Sequence, residues 1–186
     1  PIDFDNLLAE GSMMGSGGMI VMDEDDCMVS VSRFYLDFTV EESCGKCTPC
    51  RIGNKRLLEL LNKITEGRGT MKDLDALSTL GKVIKDTALC GLGQTSPNPV
   101  LSTLNNFYDE YVGHVRDKTC RAKQCKSLLT YTINPELCIG CHLCFKHCPA
   151  DAILGDVRKP HVINPDKCIK CCMCMARCKF KAINVV

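Results

Sequence analysis

The sequence has no excess of either charge. Its 23 lysines and arginines face 22 aspartates and glutamates, for a formal net charge of +1. That balance gives no general attraction to nucleic acid or to an anionic membrane surface. It has no apolar run of about 18 residues, so no membrane-spanning helix is expected. It lacks a secretory signal. It also lacks an initiating methionine, and a chain starting at Pro1 reads as a fragment or a processed product. What it does have is 45% apolar residues, enough for a packed core in one or two compact domains. And it has 16 cysteines.

Many cysteines in a short chain can mean a secreted disulfide scaffold. Here they cluster at gaps of two and three residues, too close for most bridges, and the stretch 51–89 contains none. Without a secretory signal, thiolates holding metal in a reducing cytoplasm are the better account.

Residues 1–26 read as the end of a larger unit. Gly11, Gly15, Gly17 and Gly18 surround Met13 and Met14. No strand precedes these glycines, so tight turns are expected rather than a phosphate-binding loop. Met19-Ile20-Val21-Met22 reads as a short buried strand, and Asp23 to Asp26 as a solvated acidic loop or helix start. From 27 to about 115 the apolar period is helical. Val31, Phe34, Tyr35 and Phe38 form one stripe, and Leu57, Leu58, Leu61 and Ile64 a second, stopped by Gly67 and Gly69. Leu74, Leu77, Leu80, Val83 and Ile84 form a third. Leu101, Leu104, Phe107, Tyr108, Tyr111 and Val112 form a fourth, opened by Pro97 and Pro99. Four amphipathic helices over 27–115 predict a small bundle. Residues 116–132, basic and with two cysteines, read as a linker.

Residues 133–186 repeat at an offset of 30. Ile133-Asn134-Pro135 matches Ile163-Asn164-Pro165, and Ala152-Ile153 matches Ala182-Ile183. Cys138, Cys141, Cys144 and Cys148 match Cys168, Cys171, Cys174 and Cys178. Each run reads C-x2-C-x2-C-x3-C, the run of bacterial two-cluster ferredoxins, with structural zinc a distant second reading. Each repeat predicts a strand, a ligand loop and a short helix, the two related by a pseudo-twofold axis. In that ferredoxin family the fourth cysteine of each run ligates the other cluster. One [4Fe-4S] cluster would take Cys138, Cys141, Cys144 and Cys178, the other Cys148, Cys168, Cys171 and Cys174. Pro149 follows Cys148 as the motif expects, whereas Lys179 stands where the second run would usually have proline. Cys172 is an extra thiol beside a ligand.

A further triplet, Cys44, Cys47 and Cys50, is followed at a distance by Cys90. The stretch Glu42-Ser43-Cys44-Gly45-Lys46-Cys47-Thr48-Pro49-Cys50-Arg51, with Cys90-Gly91-Leu92-Gly93-Gln94-Thr95-Ser96, resembles the flavin-carrying, NADH-oxidising subunit of respiratory complex I. The resemblance implies a [4Fe-4S] cluster on Cys44, Cys47, Cys50 and Cys90 in a helical bundle. With the ferredoxin module behind it, the chain resembles the beta subunit of electron-bifurcating, NAD(P)-linked [FeFe]-hydrogenases and related formate dehydrogenases, from Gly11 to Ile183. That implies an α+β fold: a four-helix bundle with one cluster, a 2×[4Fe-4S] module, and at 1–26 the end of a ubiquitin-like β-grasp domain. It implies FMN and NAD(P)H sites N-terminal to this segment, where no matching motif occurs here. It implies as partners a hydrogenase or formate dehydrogenase catalytic subunit, a small [2Fe-2S] thioredoxin-like subunit and soluble ferredoxin. The expected function is relay of single electrons, with no catalytic acid, base or nucleophile in the segment. A stand-alone electron carrier is the alternative.

Cys27, Cys120, Cys125 and Cys172 remain unplaced. His114, Cys120 and Cys125 lie within a dozen residues, and Cys27, at the start of the bundle, is the best fourth candidate for a structural zinc. The other reading is that His114 caps a helix and the thiols are free. His142, His147 and His161 are expected at the surface or as donors to cluster sulfur. From 133 to 186, eight Lys and Arg oppose four Asp and Glu, a balance of +4 that suits an acidic electron-transfer partner or offsets the clusters' own charge.

Overall fold

The computed structural model describes residues 2–185. A short helix, α1 (Phe4–Ala9), is opened by Asp3, whose carboxylate accepts the Asn6 N–H at 2.8 Å. The expected strand at Met19–Met22 does not form. Met19, Ile20 and Val21 are 83%, 66% and 83% exposed. A strand needs a neighbouring edge for its N–H and C=O groups. Among the described residues the only sheets lie beyond residue 130, so this apolar run has no partner.

The helical region begins with α2 (Met28–Glu41), continues through α3 (Asn54–Thr65) and α4 (Met71–Thr87), and passes a short α5 (Gly91–Thr95) to α6 (Asn98–Asn106). Helix α2 packs on α3 and α6, and α4 packs on the same two. Leu36, Leu57, Leu61, Leu77, Ile84 and Val100 are fully buried where they meet, each stabilising the fold by roughly 1.5–3 kcal/mol. Helix α4 starts sharply because Thr70 and Asp73 exchange hydrogen bonds in a capping box. Lys63 donates to both Asp73 oxygens at 2.8 Å and ties α3 to that start.

Two expectations about these helices are corrected. In α2 the phenylalanines do not face the core: Phe34 and Phe38 are exposed, and Val29, Ser32 and Leu36 are buried. Ser32 earns no weight in a hydrophobic pattern. Yet it satisfies itself inside, donating to the Met28 carbonyl at 2.9 Å and bonding Thr103 at 2.6 Å and Tyr111 at 3.1 Å. The fourth stripe is also not one helix. It breaks at Phe107 (φ −127°, ψ 37°) into α6 and α7 (Tyr108–Val112), leaving Phe107 and Tyr108 exposed and only Tyr111 buried at this break.

Helix α7 runs on into a π turn, Gly113–Asp117, which stops at left-handed Lys118. The linker then lies against the helices. Lys118 Nζ donates to the Gly69 carbonyl at 2.7 Å, Gln124 to the Asp25 carbonyl at 2.7 Å, and Leu128 joins the helical core.

Beyond it come β1 (Tyr131–Ile133), α8 (Leu143–Lys146), β2 (Ile153–Leu154), β3 (Val162–Ile163), α9 (Met173–Arg177) and β4 (Ile183–Val185). The strands pair crosswise between the repeats. β1 is antiparallel to β4, with Ile133 opposite Ile183, and β2 to β3, with Ile153 opposite Ile163. Equivalent bonds join the Asn134 N–H to the Ala182 carbonyl and the Asn164 N–H to the Ala152 carbonyl, both at 2.7 Å. This second core holds Tyr131, Cys144, Ile153, Ile163 and Ile183. Among the described residues no helix is long and apolar enough to cross a membrane.

Candidate iron–sulfur and metal sites

The crosswise strand pairing decides which cysteines meet. Cys178 lies just before β4, and β4 pairs with β1, which leads into the Cys138–Cys144 loop. Cys138, Cys141, Cys144 and Cys178 therefore line one small cavity. The mirror arrangement brings Cys148, Cys168, Cys171 and Cys174 around a second small cavity, where Cys172 is a fifth thiol in the wall.

Backbone conformation shapes both loops alike. Gly140 and Lys170, His142 and Cys172, and Asp151 and Lys181 are three offset-related pairs, all with positive φ. At Gly140 glycine is obligatory, because a Cβ would lie 2.4 Å from the Lys159 backbone nitrogen. The turn between β2 and β3 presses on this loop there, and the Arg158 N–H donates to the Gly140 carbonyl at 2.9 Å. Lys170 has no such cover and instead donates to the Ser127 carbonyl in the linker. The fourth cysteine of each run accepts a backbone bond, Cys148 from the Ala152 N–H at 3.3 Å and Cys178 from the Ala182 N–H at 3.4 Å.

Burial pushes the Cys144 thiol up, and that of Cys174 to about 11. A buried thiolate is costly without positive charge beside it, so metal is what this donor set fits. Two cavities, each lined by at least four thiols with mostly apolar side chains around them, suit cubane clusters.

The helical site is built differently. Cys50 sits in a π turn, Pro49–Gly53, and Cys90 is the residue before α5. Such turns widen the helix and are frequent at functional sites. Gly53 and Gly93 let the surrounding backbone close: a Cβ on Gly53 would lie 2.7 Å from Ile84 Cγ1, and one on Gly93 would lie 2.6 Å from Ala88 Cβ and 3.2 Å from Cys50 Cβ. A buried polar chain links the two sides, in which Ser96 Oγ donates to Asn54 Oδ1 at 2.8 Å and Asn54 Nδ2 to Cys50 Sγ at 3.5 Å. Backbone hydrogen bonds, from Leu89 first and then from Cys50, hold the Cys47 thiol below its ordinary value. Cys47 is thus beside the residue preceding Cys90. Cys44 and Cys90 face solvent, and Cys50 is buried. Asn54 was not singled out from the sequence. The signal available was an amide of low helix propensity heading a leucine-rich helix.

The fourth set is the tightest. Cys27, His114, Cys120 and Cys125 are all buried, and their ligand atoms lie within 4.8 Å of one another. Cys27 Sγ is 3.3 Å from His114 Nε2 and 3.8 Å from Cys125 Sγ, and His114 Nε2 is 3.4 Å from Cys125 Sγ. Tetrahedral zinc, with bonds of ~2.3 Å to sulfur and ~2.0–2.1 Å to nitrogen, sets sulfurs ~3.8 Å apart and sulfur and nitrogen ~3.5 Å apart. The donor set fits one zinc ion. The His114 Nδ1 atom is 2.7 Å from the Glu110 carbonyl, which makes Nδ1 the donor and turns the Nε2 lone pair toward the thiols. Bonds from Cys125 first, and then from His114, hold the Cys27 thiol down at about 4, against its burial. Cys125 is pushed up, first by its hydrogen bond with Cys27 and then by burial.

Residues 30–114 match the family model of the NADH-ubiquinone oxidoreductase-F iron-sulfur binding region, and residues 130–179 that of the 4Fe-4S dicluster domain. Both matched models describe iron–sulfur domains. It is 62% identical, over 86% of its length and 33% of the relative's, to the NADP-reducing hydrogenase subunit HndC of Solidesulfovibrio fructosivorans. The F-type subunit of NADH-quinone oxidoreductase from Streptomyces coelicolor is 38% identical over 68% of the chain and 28% of that protein. The alpha subunit of the NAD-reducing hydrogenase HoxS from Cupriavidus necator is 36% identical over 59% and 18%. Among solved structures, a chain of an NAD+-reducing [NiFe]-hydrogenase in the H2-reduced state matches with a TM-score of 0.50 and 29% identity, over 52% of this chain and 16% of that one. The chain thus spans a third or less of these relatives' lengths. These relatives are subunits of oxidoreductases.

Proposed function

We propose that this chain relays single electrons within a flavin-dependent, NAD(P)-linked oxidoreductase of the electron-bifurcating hydrogenase or formate dehydrogenase type, through three [4Fe-4S] clusters. The ligand sets are Cys44, Cys47, Cys50 and Cys90; Cys138, Cys141, Cys144 and Cys178; and Cys148, Cys168, Cys171 and Cys174. FMN and NAD(P)H belong to other parts of the subunit. A hydrogenase or formate dehydrogenase subunit, a small [2Fe-2S] subunit and soluble ferredoxin are the partners in this reading, which places the protein in the cytoplasm. Zinc on Cys27, His114, Cys120 and Cys125 staples the linker to the helices.

The observation that carries the reading is the crosswise grouping of the dicluster cysteines around two cavities. Clusters bound there supply reversible one-electron storage. The chain's own residues bring the thiols around the two cavities and give backbone N–H groups to Cys148 and Cys178. The electropositive dicluster domain suits an acidic carrier.

Iron, sulfide and zinc analysis with EPR tests this. Twelve irons and one zinc per chain are expected. Cys178→Ala should disrupt the cluster of the first run, not that of its own, and Cys148→Ala the reverse. Loss following each cysteine's own run would refute the exchanged sets, and a zinc-free protein with full iron would refute the staple.

A further inference from the structure

The offset of 30 relates two partly buried pairs of side chains, one at each cavity of the dicluster domain. Tyr131 Oη lies 2.9 Å from Cys172 Sγ. At the equivalent positions, His161 Nε2 lies 2.8 Å from His142 Nδ1. The loop members share a left-handed backbone, with φ of 64° at His142 and 61° at Cys172. The other members are both buried, Tyr131 at 5% and His161 at 1% exposure. Each pair forms part of the wall of its own half's cavity. The repeat keeps the geometry and changes the chemistry.

The two pairs differ in what they leave over. In the second half every hydrogen has an acceptor. The Tyr131 hydroxyl donates to Cys172, and the Cys172 thiol donates to the Lys170 carbonyl at 3.8 Å. In the first half, His161 Nδ1 is the one buried side-chain nitrogen or oxygen without a protein partner among the described residues. Native structures rarely bury such an atom unpaired.

A neutral imidazole carries one proton, so the pair has two arrangements. If His161 Nε2 donates, its Nδ1 presents a bare lone pair in a wall that also carries the thiols of Cys138, Cys141, Cys144 and Cys178. If His142 Nδ1 donates, His161 Nε2 accepts and Nδ1 carries the N–H. Only the second arrangement gives Nδ1 a hydrogen to donate to a group held in that cavity.

We propose that His161 donates a hydrogen bond from Nδ1 to the group held in the first cavity, that His142 is the positioning residue fixing this tautomer, and that the pair makes the first site easier to reduce than the second. This rests on the reading that both cavities hold [4Fe-4S] clusters. Reduction adds negative charge, so a fixed N–H beside sulfur favours the reduced form more than the oxidised one. The second site has no such donor to spare. Its loop touches the linker through Lys170, whereas the first lies under the β2–β3 turn. The pair therefore draws electrons away from the linker side.

An EPR-monitored redox titration of the full, cluster-loaded protein tests the proposal. In His161→Phe one couple should become about tenfold harder to reduce, which is about 59 mV for one electron, with the others unmoved. His161→Asn, whose amide nitrogen reaches nearly the place of Nδ1, should restore most of the shift. Wild-type protein labelled with heavy nitrogen in histidine should show a nitrogen coupling to one reduced cluster, a readout independent of how the variants fold. No shift in His161→Phe at full iron content, equal shifts of both dicluster couples, or no histidine coupling would each overturn the proposal. Wild-type protein that binds too little iron for two dicluster cubanes would instead overturn the reading beneath it.

Discussion

Gly93 and Gly91 stand two residues apart in α5, yet the same substitution should act on them in opposite directions. A methyl on Gly91 meets nothing within 4 Å. Gly91→Ala should therefore be neutral or stabilise by up to about 1 kcal/mol, the helix-propensity difference between the two residues. A methyl on Gly93 would sit 2.6 Å from Ala88 Cβ and 3.2 Å from Cys50 Cβ. Carbon atoms rest ~3.5–4.0 Å apart, so α5 must retreat by about 1 Å. Neither neighbour has a flexible end to swing aside, and overpacking of this kind costs about 1–3 kcal/mol.

The retreat also separates Cys90 from Cys50. Metal–ligand distances tolerate about 0.2 Å, several times less than the movement required. Gly93→Ala should thus lose one cluster's iron and sulfide while the dicluster signals persist, and should melt below Gly91→Ala. Iron and sulfide assay, EPR and thermal melts of the two variants check this. A Gly93→Ala protein with full iron content and the melting temperature of Gly91→Ala would refute the packing argument, and with it the closure of this site by α5.

Two further outcomes follow from the charged groups. Burial opposes ionisation of Asp73, but the bonds from Lys63 and Thr70 outweigh it and hold the carboxyl below its ordinary value. Its contribution is present above the unfolded value of about 4 and fades as pH falls below that. Asp73→Asn should cost about 1–2 kcal/mol at neutral pH in a chemical melt and flatten the acid limb of stability, and an unchanged limb would count against the capping box. At the zinc set, thiolates must stay deprotonated, so affinity falls as pH falls. A chromogenic chelator should draw zinc out faster at about pH 5 than at about pH 7, and His114→Ala should release it at higher pH than the parent. Release that ignores pH would argue against thiolate coordination.

Much of the grouping of cysteines around the two cavities was legible because most members of each group are close in sequence. Three cysteines of each cavity lie within one short loop, and the offset of 30 was visible as paired letters, Ile133 to Ile163 and Cys138 to Cys168. The helical positions were legible too, but not their facing. Ser32 carries no apolar signal, and its burial depends on Thr103 and Tyr111, which arrive from far along the chain. The run Met19–Met22 has strand composition, but a strand's hydrogen bonds belong to its neighbour, and among the described residues none is there.

The sequence by itself determined the chemistry: sixteen thiols, their grouping by spacing, and two domains in a fixed order. Spacing works at short range because loop geometry limits where nearby thiolates can point. Tertiary structure alone decided what meets across long separations. Cys27 comes to His114 and Cys125 because the linker folds back on the helices. Gly93 closes on Cys50, and His161 on His142, through contacts whose partners no local pattern names. Those meetings depend on packing of the whole chain, where a few ångströms separate a bound metal from a free thiol.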